Sequence, residues 1–127
     1  MPFIHSLFSY RSSIVIGIET GHIMCFPLYE LRKPKFILQA SLNRIVSCSL
    51  WGIGSNKNIL LSADNADSFC LFDFDKRVDG NPSFLQKYKT IGEPVQIEGS
   101  GSNIVVATAT PTLSIYQIKQ WNDLFIF

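Results

Sequence analysis

The sequence predicts an all-β chain of three four-stranded antiparallel sheets, each built from one copy of a unit that recurs about every 45 residues. The first observation is spacing. Ile14-Val15-Ile16-Gly17, Ile59-Leu60-Leu61-Ser62 and Ile104-Val105-Val106-Ala107 begin at 14, 59 and 104, two equal intervals of 45 residues. The second is the pattern after each run: a short turn-forming link, then a segment ending in an aromatic (Phe26, Phe72 and Tyr116). The third is composition. The chain is 46% hydrophobic, rich in Ile, Leu, Val and Phe, with ten Phe in 127 residues and no stretch rich in Glu, Lys and Arg. Branched and aromatic side chains suit a pleated, half-buried surface.

In chain order, the first unit opens with a strand over 3–8, turns at Tyr10 to Ser13, and continues through the run at 14–17. The link Glu19-Thr20-Gly21 supplies turn chemistry, and a strand over 22–26 comes next. After a polar loop at 31–33, residues 35–39 give the fourth strand; residues 29–32 make at most one helical turn before Pro34. In the second unit, 44–51 alternates: Val46, Cys48 and Leu50 share one face, Ser47 and Ser49 the other. Gly54-Ser55-Asn56 turns into the run at 59–62, the link 64–67 turns again, and strands come at 68–72 and 84–88 around a polar loop at 75–82. The third unit offers 94–98, the same tripeptide at 101–103, the run at 104–107, the Thr110-Pro111 link, 112–116, and the tail 123–127 as its fourth strand. The units span 1–40, 41–91 and 92–127 of one domain. One such sheet cannot bury both faces alone, so successive sheets must stack.

Several function classes are disfavoured. Net charge is +1 with no basic run, so no direct nucleic-acid partner is expected. The N-terminus lacks the basic start and apolar stretch of a signal peptide, and no membrane-spanning apolar run occurs. Cys25, Cys48 and Cys70 each sit inside an apolar run and read as reduced, buried thiols, which implies an intracellular protein of the cytoplasm or nucleus. Cys25 and Cys70 differ by one position relative to their terminal aromatics and should point to opposite faces, so no zinc pair is expected. His5 and His22 lack ligand partners at metal spacing. Gly52-Ile53-Gly54 and Gly99-Ser100-Gly101 precede strands and read as turns, not dinucleotide loops. Asp64 and Asp67 should bond turn amides, with Asp73 and Asp75 solvated or paired with Lys76 and Arg77. No cofactor, metal or catalytic cluster is expected.

A repeat of this length with four antiparallel strands resembles the WD40 family. Phe72-Asp73 is similar to that family's aromatic–acid pair, and Ser62-Ala63-Asp64 to its small-residue run. Phe26-Pro27 and Tyr116-Gln117 depart from the pattern, and no copy preserves that family's Gly-His pair at its place in the repeat. Residues 16–23 also resemble a stretch of the ASTRA-associated WD-repeat proteins, fungal nuclear proteins linked to chromatin remodelling and kinase maturation. The resemblance implies blades of a β-propeller and a non-catalytic scaffold for protein subunits. Rings need ~4–8 blades, so three units imply an incomplete ring: a fragment or truncated form of a longer subunit of a multiprotein complex, able to self-associate through unclosed faces. The alternatives are an enzyme using rim residues and a remnant reading frame. The partner-binding candidates are Asn43 and Arg44, Glu93, and the hairpin tips Glu19 and Asn65. All five should lie at one end. Phe26, Phe72 and Tyr116 should pack between sheets.

Overall fold

The computed structural model describes residues 3–53 and 57–117, and these form eleven strands and no helix. The first sheet runs in the order β1 (Ile4–Tyr10), β2 (Ser13–Ile18), β3 (His22–Pro27), β4 (Phe36–Gln39). The second is β5 (Ile45–Ile53), β6 (Lys57–Asp64), β7 (Ser68–Val78), β8 (Asn81–Lys89). The third is β9 (Pro94–Ser100), β10 (Asn103–Thr108), β11 (Leu113–Gln117). Every pairing is antiparallel between sequence neighbours. The fourth strand expected at 123–127 lies outside the described residues.

One expected loop is a hairpin. Between Val78 and Asn81 stand only Asp79 and Gly80, both with positive φ (53° and 84°). This is the mirror-image turn that matches strand twist, and Asp-Gly is its usual sequence. Asp73 is buried rather than solvated: its Oδ1 accepts from the amides of Asp75 and Lys76 at 3.1 and 3.2 Å, where the β7–β8 register breaks. Asp75 Oδ2 instead accepts from Asn58 N and Nδ2.

Register corrects the equal spacing. The last pairs before each β2–β3-type turn are Gly17 with Ile23, Ala63 with Phe69, and Ala107 with Leu113. The structural intervals are therefore 46 and 44 residues, and the run at 59 starts one position early on its strand. A slip of one residue exchanges faces. Val15 accordingly packs toward the second sheet, while Leu60 points back toward the first and Ile59 and Leu61 toward the third. The aromatics Phe26, Phe72 and Tyr116 are in phase, so Phe72 and Tyr116 each face the preceding sheet, whereas Phe26 lies half-buried on the outer face of the first sheet and not between sheets as expected. An extra residue also recurs in each inner strand (His5, Val46, Val95) opposite the same place. That bulge puts Val46 in the other core from Cys48 and Leu50, against the simple alternation.

Two apolar layers hold the sheets together. Val15, Ile23, Cys25, Phe36 and Leu38 meet Ile45, Cys48, Leu60, Cys70 and Phe72 between the first and second sheets. Trp51, Ile59, Leu61, Phe69 and Leu71 meet Ile97, Ile104 and Val106 between the second and third. The inner strands β1, β5 and β9 lie side by side, whereas β4 and β8 scarcely touch, so the sheets fan out from a common inner edge. Cys25 and Cys70 do lie on opposite faces of equivalent strands, which places both in the same layer with Cys48. All three thiols are free and buried. Desolvation pushes Cys48 up to about 11 and raises Cys25 and Cys70, keeping them protonated and unreactive.

Close approach explains Gly17 and Gly99. A Cβ on Gly17 would strike Ile45, and one on Gly99 would strike the Cβ and Cγ of Trp51. Neither neighbour can swing away, because the atoms met lie near the backbone. Gly99→Ala should therefore lower stability by about 1–3 kcal/mol, read as a shifted midpoint in urea unfolding. An unchanged midpoint would show that the second and third sheets are not packed this closely.

Candidate protein-interaction rim

The turns β2–β3, β6–β7 and β10–β11 and the two crossings between sheets gather at one end of the fan. Each crossing is tied down twice. Leaving the first sheet, Ala40 N and Ser41 N donate to Gly21 O at 3.0 and 3.1 Å; leaving the second, Thr90 N donates to Asp67 O at 2.7 Å. On entry, Asn65 N donates to Arg44 O and Ala109 N to Glu93 O, each at 2.9 Å. Arg44 and Glu93 are thus equivalent. Gly21, at φ 86°, lies directly beneath the first crossing, where a Cβ would run into the Ser41 and Asn43 carbonyl oxygens.

Asp64 fastens the first crossing to the second sheet. Its carboxylate is only 4% exposed yet fully engaged. It accepts from Ser41 Oγ (2.8 Å), Ala66 N (3.0 Å), Ser68 N (3.3 Å) and Ser68 Oγ (2.7 Å). A buried carboxylate is tolerated when its lone pairs are met in this way. The equivalent places hold Ile18 in the first sheet and Thr108 in the third, the latter in a hydroxyl cluster with Thr110 and Thr112. Among the described residues the Asp67 side chain bonds no turn amide; it stands 3.7 Å from Lys89 Nζ in an exposed pair.

The five residues singled out in the sequence all reach this end, in different states. Glu19, Asn43 and Glu93 are exposed. Glu19 stands 3.8 Å from His5 Nε2, and Asn43 N donates to Ser41 Oγ at 3.0 Å. Arg44 and Asn65 are half-buried, and the enclosed Arg44 Nε has no hydrogen-bond partner among the described residues. They hold the rim as much as they present it. Two aliphatic side chains were missed. Leu42 is 92% exposed and Ile91 80% exposed, at equivalent places in the two crossings, two residues before Arg44 and Glu93. Each was visible as an apolar residue within a polar turn stretch. Beside Leu42 a groove of about 310 Å³ is lined by Gln39, Asn43, Asp64, Phe84 and Lys87. A second groove, about 490 Å³, runs along the inner strands past Ser6, Tyr10, Gln96 and Glu98.

Among the described residues no group of three or more His, Cys, Asp or Glu is arranged to hold a metal ion, and no helix is long and apolar enough to cross a membrane. His22 Nδ1 is engaged with Thr20 Oγ1 at 2.7 Å.

No protein-family profile matches the chain, and no curated protein matches it. Solved structures do. The crystal structure of BBS1N in complex with ARL6DN is similar with a TM-score of 0.76 at 8% identity, over 96% of this chain and 39% of that chain. Identity this low shows the fold alone: BBS1N is a β-propeller, and the three fanned sheets are a propeller-like array that does not close. The chain spans about two fifths of the BBS1N chain's length.

Removing the Asp64 carboxylate strands the buried donors of Ser68 and frees the 41–44 crossing. Asp64→Ala should cost about 2–3 kcal/mol in urea unfolding, and Asp64→Asn less, since the amide oxygen still accepts. Equal stability of Asp64→Ala and the parent chain would remove Asp64 from this role.

Proposed function

We propose that this chain is a non-catalytic protein-interaction scaffold that offers the rim around Leu42, Asn43, Ile91 and Glu93 to protein partners. The observation that carries it is the repeated exposure of a large aliphatic at the tip of each crossing, on backbone pinned from both sides. A pinned tip loses little conformational freedom on binding, and solvent-exposed aliphatics gain by being covered. Loops displayed from a rigid β scaffold are common binding elements. The BBS1N propeller was crystallised in complex with another protein, ARL6DN, which supports protein partners as a class.

The finer reading rests on the sequence resemblance. The chain is a WD-repeat-like, truncated form of a longer propeller subunit, working in a multiprotein complex of the nucleus or cytoplasm. The nucleus is favoured, in association with chromatin remodelling, on the likeness of residues 16–23 to the ASTRA-associated proteins. Glu19 extends the same surface past the first hairpin tip. Arg44 and Asn65 support it from beneath.

The test is quantitative affinity purification of the tagged chain from cells, beside the variant Leu42→Ala/Asn43→Ala/Ile91→Ala/Glu93→Ala. All four positions are exposed or turn residues, so the thermal melt should be nearly unchanged. Partners retained by the parent chain should fall roughly tenfold or more in the variant. Full retention of every partner by a folded variant would sink the proposal.

A further inference from the structure

The contact between neighbouring sheets is built twice from the same parts. From the first sheet to the second, Ser6 Oγ accepts from Cys48 N at 2.9 Å, Tyr10 OH accepts from Asn58 Nδ2 at 3.4 Å, and Gly17 makes room for Ile45. From the second to the third, Ser47 Oγ accepts from Ile97 N at 3.1 Å, Trp51 Nε1 donates to Gly101 O at 3.0 Å, and Ala63 holds the small-residue place. The correspondence is set by register. Ser6 and Ser47 pair with Gly17 and Ala63, and Tyr10 and Trp51 pair with Ser13 and Ile59.

The outer faces of the first and third sheets each carry one half of this same contact. On the first sheet, Ile14, Met24 and Phe26 occupy the places of the buried Leu60, Cys70 and Phe72. Leu7, Ile16, Met24 and Ile37 form one cross-strand apolar row over all four strands. Leu7 also stands where Cys48 and Ile97 stand, the two residues whose amides donate to a serine hydroxyl oxygen. On the third sheet, Val105, Leu113 and Ile115 occupy the places of Val15, Ile23 and Cys25, and Ala107 that of Gly17 and Ala63. Gln96 holds the serine place. Leu7, Leu113 and Ile115 are 61%, 72% and 69% exposed.

We propose that these faces bind each other between copies of this chain. The first sheet of one copy seats on the third sheet of another, with the Gln96 side-chain oxygen accepting the Leu7 amide as the serines do inside the chain. The two halves differ, so the contact is heterologous, head to tail. Glu98 and Ser100 replace Ser49 and Trp51 on the third face, which makes this contact weaker than the two internal ones. Glu98 is exposed and lines the groove along the inner strands. Two copies would place six sheets in succession, within the ~4–8 of closed propellers. If the rotation per sheet does not close the ring, the same contact produces an open chain of copies.

The contact uses sheet faces and not the rim, so it and the scaffold reading fail separately. Sedimentation velocity of the purified full chain, from low to high micromolar concentration, should show reversible association. Met24→Lys on the first face and Ile115→Lys on the third should each weaken association roughly tenfold or more, because each buries an unpaired charge. Their equimolar mixture should regain a one-to-one complex, since each variant keeps the half that the other lost. Leu7→Lys, at a more exposed position, replaces Met24→Lys if circular dichroism shows that variant unfolded. Either a closed pair or growing oligomers in the parent chain supports the contact when the variants behave in this way. A parent chain monomeric throughout, full association of Ile115→Lys alone, or a mixture that stays monomeric would overturn it.

Discussion

The second sheet carries apolar side chains on both faces: Ile59, Leu61, Phe69 and Leu71 toward the third sheet, Leu60, Cys70 and Phe72 toward the first. Burying each such side chain contributes about 1.5–3 kcal/mol, and neither face can be left wet. Covering both is the constraint on which the rest of the molecule depends. The flanking sheets are held by it, with their small residues where backbones approach most closely and their inner strands side by side. The recurrent bulges at His5, Val46 and Val95 belong to the same solution, because they adjust which inner-strand side chains enter each layer.

The rim is a product of the stacking. Sheets that fan from a common inner edge require the chain to cross from an outer strand to the next inner strand, and both crossings fall at one end. Their polar backbone cannot join a ladder, so it is met by the hairpin tips of the sheets on either side. Asp64 adds a third fastening at the first crossing only. What remains exposed is the side chains that those backbone bonds do not use: Leu42, Asn43, Ile91 and Glu93. The candidate interaction surface is thus a consequence of how sheets are joined.

Much of the fold was legible in the sequence, because turn chemistry and alternating hydrophobicity are local signals. All eleven described strands overlap segments expected from sequence, with β7 and β8 extending through the expected loop at 75–82, and the all-β stacked architecture stands. Phase was less legible. The equal spacing of 14, 59 and 104 suggested exact repetition, but the middle run is shifted by one, since Ile59 and Leu60 are both apolar and both faces of that sheet are buried. When both faces are apolar, hydrophobicity no longer reports register. Asp73 was expected to be solvated or paired with Lys76 or Arg77, and its actual bonds go to backbone amides two and three residues on. At the rim, the polar candidates do gather at one end, but Leu42 and Ile91 were passed over: exposure of an aliphatic depends on tertiary path, not on its neighbours in sequence.

The stacking itself is most directly tested by native-state hydrogen exchange at Cys48 and Ile97. Their amides donate to Ser6 Oγ and Ser47 Oγ of the neighbouring sheet rather than to a strand of their own. The account predicts protection close to that of amides within the β6–β7 ladder, lost only when the sheets separate. Rapid exchange at both amides in an otherwise folded chain would contradict it.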